Sequence, residues 1–202
     1  AVYIQPSDWA SNVWKNMNAE SCLPIKSQPF PVEIERFKPS NNSNKSEVFI
    51  YFKGRKPKEL NFIINFLNSK KISYKIFDYL KKYKEDDYLK CLNHAKYGIW
   101  IGRHESQGFA LEEALSCNIP LLIWEVKYMS QEEGYNYPDI PANVIPYWDE
   151  RCGEFFYREE EFEETYNKFM SKIDTYKPRE YILEHLCREK CSERLVELIN
   201  SY

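Results

Sequence analysis

The chain has 202 residues, of which 43% are hydrophobic and 16% aromatic, and this is ample for the packed core of one generous domain. The formal net charge of −3 argues against a dedicated nucleic-acid binder, because such a protein carries a surplus of basic residues. No apolar stretch approaches the length of a membrane-spanning helix, and the first residues lack the pattern of a signal peptide.

The six cysteines are scattered along the chain, and none forms a Cys-x2-Cys pair. Cys187 and Cys191 are close in sequence and have His185 nearby, but no second pair of ligands completes a metal site. Reduced cysteines are typical of intracellular proteins. We therefore expect a cytoplasmic protein that holds no metal and has no integral membrane segment.

The N-terminal part of the chain predicts a short strand and one helix. Residues 1–5 are strand-like and lack an initiator Met, which is typical of the middle of a longer polypeptide. A helix start follows at residues 6–8, and apolar side chains then recur at helical spacing, namely Trp9, Val13, Trp14 and Met17. Residues 41–46 are polar and predict a loop.

From residue 47 onward, strand and helix patterns alternate. Predicted strands, rich in β-branched and aromatic residues, cover 47–53, 73–77, 98–101 and 121–124. Helices are predicted from Pro57, from about Glu85, and from Gly108 to about Asn118, which suits the left-handed residue that often ends a helix. This order predicts an α/β fold with a doubly wound parallel sheet of the Rossmann-like kind.

The remainder of the chain predicts a surface excursion and a helical tail. Residues 125–142 are rich in Tyr, Glu and Pro, which indicates an irregular surface segment. Residues 144–148 are interpreted as a short last strand and residues 151–154 as a turn. Helical patterns then form a tail over about 155–202.

Two predicted loops leave the sheet at the carboxyl ends of its strands, where doubly wound sheets bind ligands. The loop after strand 47–53 is basic and carries Lys53, Arg55, Lys56 and Lys58. The loop after strand 98–101 carries His104, Glu105 and Gly108. A helix that begins at Gly108 presents backbone N–H groups and a positive dipole end to an anion. A cationic loop facing that helix predicts a diphosphate site.

Two carboxylates, Glu105 and Glu113, lie eight positions apart around Gly108. Helical periodicity places Glu112 and Glu113 on opposite edges of the buried stripe, so it does not choose between them. A strand–helix–strand unit of any function can carry such glutamates, and the spacing alone is a weak signal.

Segment 105–120 resembles the Glu-x7-Glu motif of retaining glycosyltransferases of the GT-B fold, especially family 4, which reads E-x-F-G-L-x-x-x-E-A-x-A-x-G-x-P. The chain departs from it at Gln107, where the family often has Phe, and at Asn118, where Gly is usual. The resemblance spans roughly residues 1–155 and is strong over 98–124. The matching positions are Glu105, Gly108, Glu113, Ala114 and Pro120.

The resemblance implies the nucleotide-sugar-binding half of a glycosyltransferase of hexosyltransferase type. Such an enzyme transfers a sugar from a UDP- or GDP-sugar with retention at the anomeric carbon and needs no cofactor or metal. Arg55, with Lys53 or Lys58, would neutralise the diphosphate leaving group. Glu105 would face the donor sugar, and Glu113 would accept hydrogen bonds from the ribose. The other implied donor contacts are the backbone of Gly108, Phe109 and Ala110, and His104 unless its ring merely packs.

The resemblance also implies partners. All of 1–202 would form the donor-binding half, and an N-terminal acceptor domain, of which this sequence shows no counterpart, would supply the site for a glycan, lipid or protein acceptor. The chain alone is therefore expected to show little transfer. Two alternatives stay open, a non-catalytic module that binds nucleotide sugars and a nucleotide-sugar epimerase of the GT-B fold.

Overall fold

A computed structural model describes residues 1–40 and 45–201. Of the predicted polar loop at 41–46, residues 41–44 lie outside this described part. The strands are β1 Tyr3–Gln5, β2 Ile25–Ser27, β3 Glu47–Lys53, β4 Tyr74–Asp78, β5 Ala95–Gly102, β6 Leu121–Trp124 and β7 Gly153–Phe156. The helices are α1 Asp8–Asn16, α2 Pro57–Ser69, α3 Glu85–Leu92, α4 Phe109–Ser116, α5 Phe162–Ser171, α6 Pro178–His185 and α7 Arg188–Asn200.

The main sheet has five strands in the order β4-β3-β5-β6-β7, and every neighbouring pair is parallel. Parallel strands need long crossover connections: α2 joins β3 to β4, α3 joins β4 to β5 on the other side of β3, and α4 joins β5 to β6. The predicted α/β fold with a parallel, Rossmann-like sheet is confirmed. A second, two-stranded parallel sheet joins β1 to β2 beside α1.

The two faces of the main sheet are covered by different helices. Successive side chains of a strand point to opposite faces of the sheet. Both faces of β3 are buried, which explains why its sequence is a nearly continuous apolar run. On one face, Tyr51 stacks on Trp100 with ring centroids 3.8 Å apart, and residues of α3, α4 and α6 close this cluster. On the other face, apolar residues of α2 and α5 pack against Ile50 and Ile99. Burial of each large side chain contributes about 1.5–3 kcal/mol.

Helix α4 begins and ends where the sequence predicts. Gly108 precedes it with φ +91°, a left-handed conformation that glycine adopts without steric cost. Asn118 follows it with φ +58°, as expected for the residue that ends a helix. The backbone therefore turns sharply between β5 and α4, and the N-terminus of α4 lies at the carboxyl end of β5.

The predicted last strand at 144–148 is wrong, because the fifth strand of the sheet is β7, which overlaps the predicted turn at 151–154. Val144 is fully buried, yet its N–H donates to the Glu125 carboxylate at 2.5 Å instead of to a strand. The apolar residues at 144–148 thus belong to an irregular segment that packs against the core, not to a strand. Gly153 pairs with Leu121, and β7 forms the edge of the sheet.

The C-terminal helices pack on the sheet and on α4. Phe162 and Phe169 of α5 are fully buried in the core. Arg179 of α6 donates to the carbonyl oxygen of Ser116, the last residue of α4, at 2.7 Å and to that of Phe37 at 3.1 Å. Within the described part of the chain, none of the helices is long and apolar enough to cross a membrane.

Candidate active site

A cavity of about 450 Å³ opens at the carboxyl ends of β3 and β5, beside the N-terminus of α4. This is the edge at which the sequence predicts a ligand. Its wall combines one cation, three carboxylates, the glycine that precedes α4, and several aromatic rings. The lining residues that matter below are Phe30, Tyr51, Lys53, Tyr79, Tyr83, Glu85, Trp100, Glu105, Gln107, Gly108, Phe109, Ala110 and Glu113.

Lys53 and Glu105 form a buried ion pair in this wall. The Lys53 ammonium lies 2.8 Å from Oε1 and 2.9 Å from Oε2 of Glu105. The two side chains are only 11% and 10% exposed, so water screens the pair poorly. The ammonium also lies 4.3 Å from the centre of the Tyr79 ring, within the range of a cation–π contact. Lys53, at the end of β3, is thus compensated on two sides.

The loop that carries Glu105 is held by segments distant in sequence. The Glu105 carbonyl accepts a hydrogen bond from the Trp9 indole of α1 at 2.9 Å, and its N–H donates to the Asn143 carbonyl at 2.9 Å. Two residues later, the Gln107 amide binds the N–H and the carbonyl of Phe30 at 2.9 and 2.6 Å. Gln107 therefore fixes the loop to the segment around Phe30.

The N-terminus of α4 forms the floor of the cavity next to this pair. Gly108, Phe109 and Ala110 all line it. The first N–H groups of a helix have no partner within the helix, and the dipole there is positive, so this end attracts a phosphate. The Tyr88 hydroxyl donates to the Ala110 carbonyl at 2.8 Å and anchors the first turn.

The structure separates Glu112 from Glu113. Glu113 lines the cavity, whereas the Glu112 side chain is fully buried. One of its carboxyl oxygens accepts a hydrogen bond from the Gln107 amide at 3.0 Å. The other oxygen of Glu112 has no hydrogen-bond partner among the described residues. Desolvation raises the pKa of both carboxyls to about 8, and Glu85 adds to the shift at Glu113. Both glutamates hold a proton at neutral pH.

Arg55 and Lys58 lie at a different cavity, of about 230 Å³, which they line with Glu132 and Glu133. Arg55 is only 4% exposed. Its guanidinium donates to Glu59 at 2.6 Å and to the carbonyl oxygens of Gly102 and Trp124 at 3.1 and 3.2 Å. The structure thus does not bring Arg55 or Lys58 to Lys53 and Glu105, and a phosphate contact by either stays a prediction.

His104 packs between α1 and the excursion at 125–142. The Trp9 and Tyr137 rings meet its imidazole edge-on at centroid distances of 5.4 and 5.8 Å. Desolvation, with a smaller effect of Arg103, lowers the pKa of His104 to about 4, so the ring is neutral at pH 7. Its Nδ1 is buried without a partner among the described residues. His104 is not among the residues that line the main cavity, and its donor contact stays a prediction.

Several lining residues were not predicted as site residues. Tyr51 and Trp100 are paired in register on β3 and β5, and the Tyr83 hydroxyl donates to that of Tyr51 at 3.1 Å. Strand alternation could have placed Tyr51 and Lys53 on one face, since they are two residues apart. Phe30 lies 77 residues from Gln107, and no local pattern connects the two.

Across residues 1–40 and 45–201, no group of three or more His, Cys, Asp or Glu side chains is arranged to hold a metal ion. The lining of the cavity includes an ammonium, carboxyl groups, the backbone at the start of α4 and aromatic faces.

No family model and no curated protein sequence matches the chain. Among solved structures, it is similar to a mutant of S. aureus TarM in complex with Fondaparinux, alpha-GlcNAc-glycerol and UDP, with 14% identity and a TM-score of 0.65 over 98% of this chain and 44% of TarM. It is also similar to sucrose-phosphate synthase from Thermosynechococcus elongatus, with 11% identity and a TM-score of 0.58 over 98% of this chain and 57% of the synthase.

A third similar structure is the pneumococcal O-GlcNAc transferase GtfA in complex with UDP and GlcNAc, with 13% identity and a TM-score of 0.54 over 99% of this chain and 45% of GtfA. The chain thus spans about half the length of these proteins. At such identities the likeness shows the fold, which is that of one half of a GT-B glycosyltransferase.

Proposed function

We propose that this chain is the donor-binding domain of a retaining glycosyltransferase, which transfers a sugar from a UDP- or GDP-sugar to an acceptor. The observation that carries the proposal is the cavity in which Lys53, Glu105, Glu113 and the N-terminus of α4 meet. The fold supports it, since two of the similar structures, TarM and GtfA, were determined with UDP. The Glu-x7-Glu pattern has its two glutamates at the spacing that the family 4 resemblance expects.

The diphosphate is proposed to bind between Lys53 and the first turn of α4. Both present positive charge to the same cavity, one as an ammonium and the other as backbone N–H groups. The backbone of β3 and α4, which carries these groups, is anchored in the core before the ligand arrives. Charge that develops on a departing diphosphate would be stabilised without reorganisation of the protein.

The two glutamates have different proposed roles. Glu113 lies one helical turn into α4 and is proposed to bind the ribose hydroxyls. Glu105 lies in the loop before α4 and is proposed to face the donor sugar near its anomeric carbon. Ribose is bound alike in substrate and product, so Glu113 should affect ground-state binding, whereas the contact of Glu105 with the donor sugar should affect turnover.

The acceptor side is proposed to come from a second GT-B domain. This chain spans about half the length of the similar proteins, and the cavity is open. The acceptor would be a glycan, a lipid or a protein. Transfer is therefore to be assayed with the two-domain protein, whereas binding of the nucleotide can be measured on this chain.

The proposal is tested by calorimetric titration of the chain with UDP and with GDP. One of the two should bind, and Lys53→Met should weaken its binding by about 1.5–3 kcal/mol, roughly ten- to 150-fold, since a hydrogen bond to a charged group is lost. Lys96→Met is the matched control, because Lys96 is exposed on β5 and is not among the residues that line the cavity. The proposal fails if neither nucleotide binds, or if both variants bind like the wild type.

A second assay separates the proposed enzyme from the alternatives. The two-domain protein is incubated with UDP-glucose, UDP-N-acetylglucosamine and GDP-mannose, and release of free sugar is followed. A transferase releases sugar slowly to water. A non-catalytic module releases none, and an epimerase changes the sugar without freeing it.

A further inference from the structure

The Lys53–Glu105 pair raises a question about selectivity. A lysine at the base of an anion-binding cavity is open to any small anion in solution. Here the ammonium contacts both carboxylate oxygens at 2.8 and 2.9 Å, and the Tyr79 ring approaches at 4.3 Å. An incoming anion must therefore displace the Glu105 carboxylate before it can use the charge of Lys53.

We propose that Glu105 is a specificity-determining residue, an internal competitor that withholds Lys53 from free phosphate and yields it only to a nucleoside diphosphate. This role rests on the proposed function, because it presumes that a nucleotide binds in this cavity. It is additional to the role of Glu105 near the donor sugar.

Inorganic phosphate and a nucleoside diphosphate differ in the contacts that each gains when the pair separates. Separation of a desolvated ion pair costs free energy, since both charges are only about a tenth exposed and the partners attract strongly at such burial. Inorganic phosphate gains only the contacts of one small anion. A nucleoside diphosphate can contact Lys53 and the N-terminus of α4 at once with its two phosphates and can also reach the carboxyl of Glu113, and these added gains offset the separation.

The neighbouring charges support this interpretation. Glu85 also lines the cavity, but its carboxylate is paired with Arg36 at 2.9 Å and is about half exposed. Arg103, which follows β5, is paired with Glu132 at 3.0 Å. Glu105 is thus the carboxylate that contacts Lys53, and a change of charge elsewhere in the wall leaves the pair intact.

The test uses Glu105→Gln, which keeps the shape of the side chain and removes its charge, with Glu85→Gln as the matched control. UDP and GDP affinities are measured by calorimetry without phosphate and with ten millimolar inorganic phosphate. Glu105→Gln should bind the preferred nucleotide about three- to tenfold more tightly than the wild type, in the range of coupling between contacting residues. Phosphate should then compete with the nucleotide in this variant and have little effect on the wild type or on Glu85→Gln.

The outcomes separate this inference from the proposed function. If the wild type binds neither nucleotide, the proposed function itself fails. In a second outcome, the wild type binds a nucleotide while Glu105→Gln binds it no more tightly, or while Glu85→Gln increases the nucleotide affinity equally. Either result refutes the proposed role of Glu105 as a competitor and leaves the proposed binding site unaffected. Competition by phosphate against the nucleotide in the wild type would also overturn the inference, and this measurement does not depend on how any variant folds.

Discussion

Neighbouring residues of α4 have opposite surroundings although they have the same side chain. Glu112 is fully buried and bonded to Gln107, whereas Glu113 is partly exposed in the cavity. A helix turns about 100° per residue, so one step moves a side chain from the core to the edge of the buried stripe. Of the two, Glu113 lines the cavity, and Glu112 contacts the Gln107 amide instead.

Variants of these two glutamates should affect nucleotide affinity differently. Glu113→Ala should weaken binding of the nucleoside diphosphate by about 0.5–1.5 kcal/mol, because a hydrogen bond between neutral partners is lost. Glu112→Gln keeps the size and the neutrality of the buried group and should leave the affinity within about twofold of the wild type. Calorimetry with the preferred nucleotide measures both. Unchanged affinity in Glu113→Ala with a large loss in Glu112→Gln would mean that the motif is aligned one residue out.

Arg55 links three elements of secondary structure, namely β5, β6 and α2. Its guanidinium bridges the last carbonyls of β5 and β6, at Gly102 and Trp124, and pairs with Glu59 in the first turn of α2. The cation sits over the Trp124 ring at 5.5 Å. Lys53, the last residue of β3, therefore lines the main cavity, whereas Arg55 in the following loop connects the ends of β5 and β6.

Arg55→Ala should destabilise the fold by about 3–5 kcal/mol, because it leaves Glu59 unpaired and two carbonyl oxygens without their donor. The matched control is Lys58→Ala in the same loop, whose exposed side chain should change stability by no more than about 0.5 kcal/mol. Urea unfolding followed by fluorescence measures both. Equal stability of the two variants would show that Arg55 is free for another role, such as the predicted phosphate contact.

The sequence identified the position of α4 but not the surroundings of the loop before it. Gly108 and Asn118 mark the ends of α4 through their own backbone preferences, and such signals are local. The contacts of Gln107 with Phe30 and of Trp9 with Glu105 join residues 77 and 96 positions apart, and no periodicity encodes them. The burial of Arg55 depends likewise on carbonyls of β5 and β6, so a basic loop alone could not show which cation faces the cavity.

Buried glutamates make the free energy of unfolding of the whole chain depend on pH. Burial raises the pKa of Glu112 and Glu113 to about 8 and that of Glu125 to about 7. In the unfolded chain these groups lose their protons near pH 4.3. Between that pH and about 8 the folded chain holds protons that the unfolded chain has lost, so stability falls as pH rises. His104, with its lowered pKa, changes stability only below about pH 6.5.

The midpoint of thermal unfolding should therefore decrease from about pH 6.5 to about pH 8, the part of the glutamate window in which His104 makes no contribution. Glu112→Gln should show a smaller decrease, because the amide has no proton to lose. Circular dichroism melts at a series of pH values measure both proteins. A midpoint that is constant or rises over this window would contradict the burial of neutral carboxyls.

Amide chemical shifts during titration of isotope-labelled protein with UDP or GDP test the proposed position of the ligand most directly. The largest shifts should occur at the N–H groups of Gly108, Phe109 and Ala110, because the diphosphate is proposed to bind at the first turn of α4. Unchanged shifts at these three amides, with the main changes around Gln131 and Glu133 beside Arg55 instead, would contradict the account.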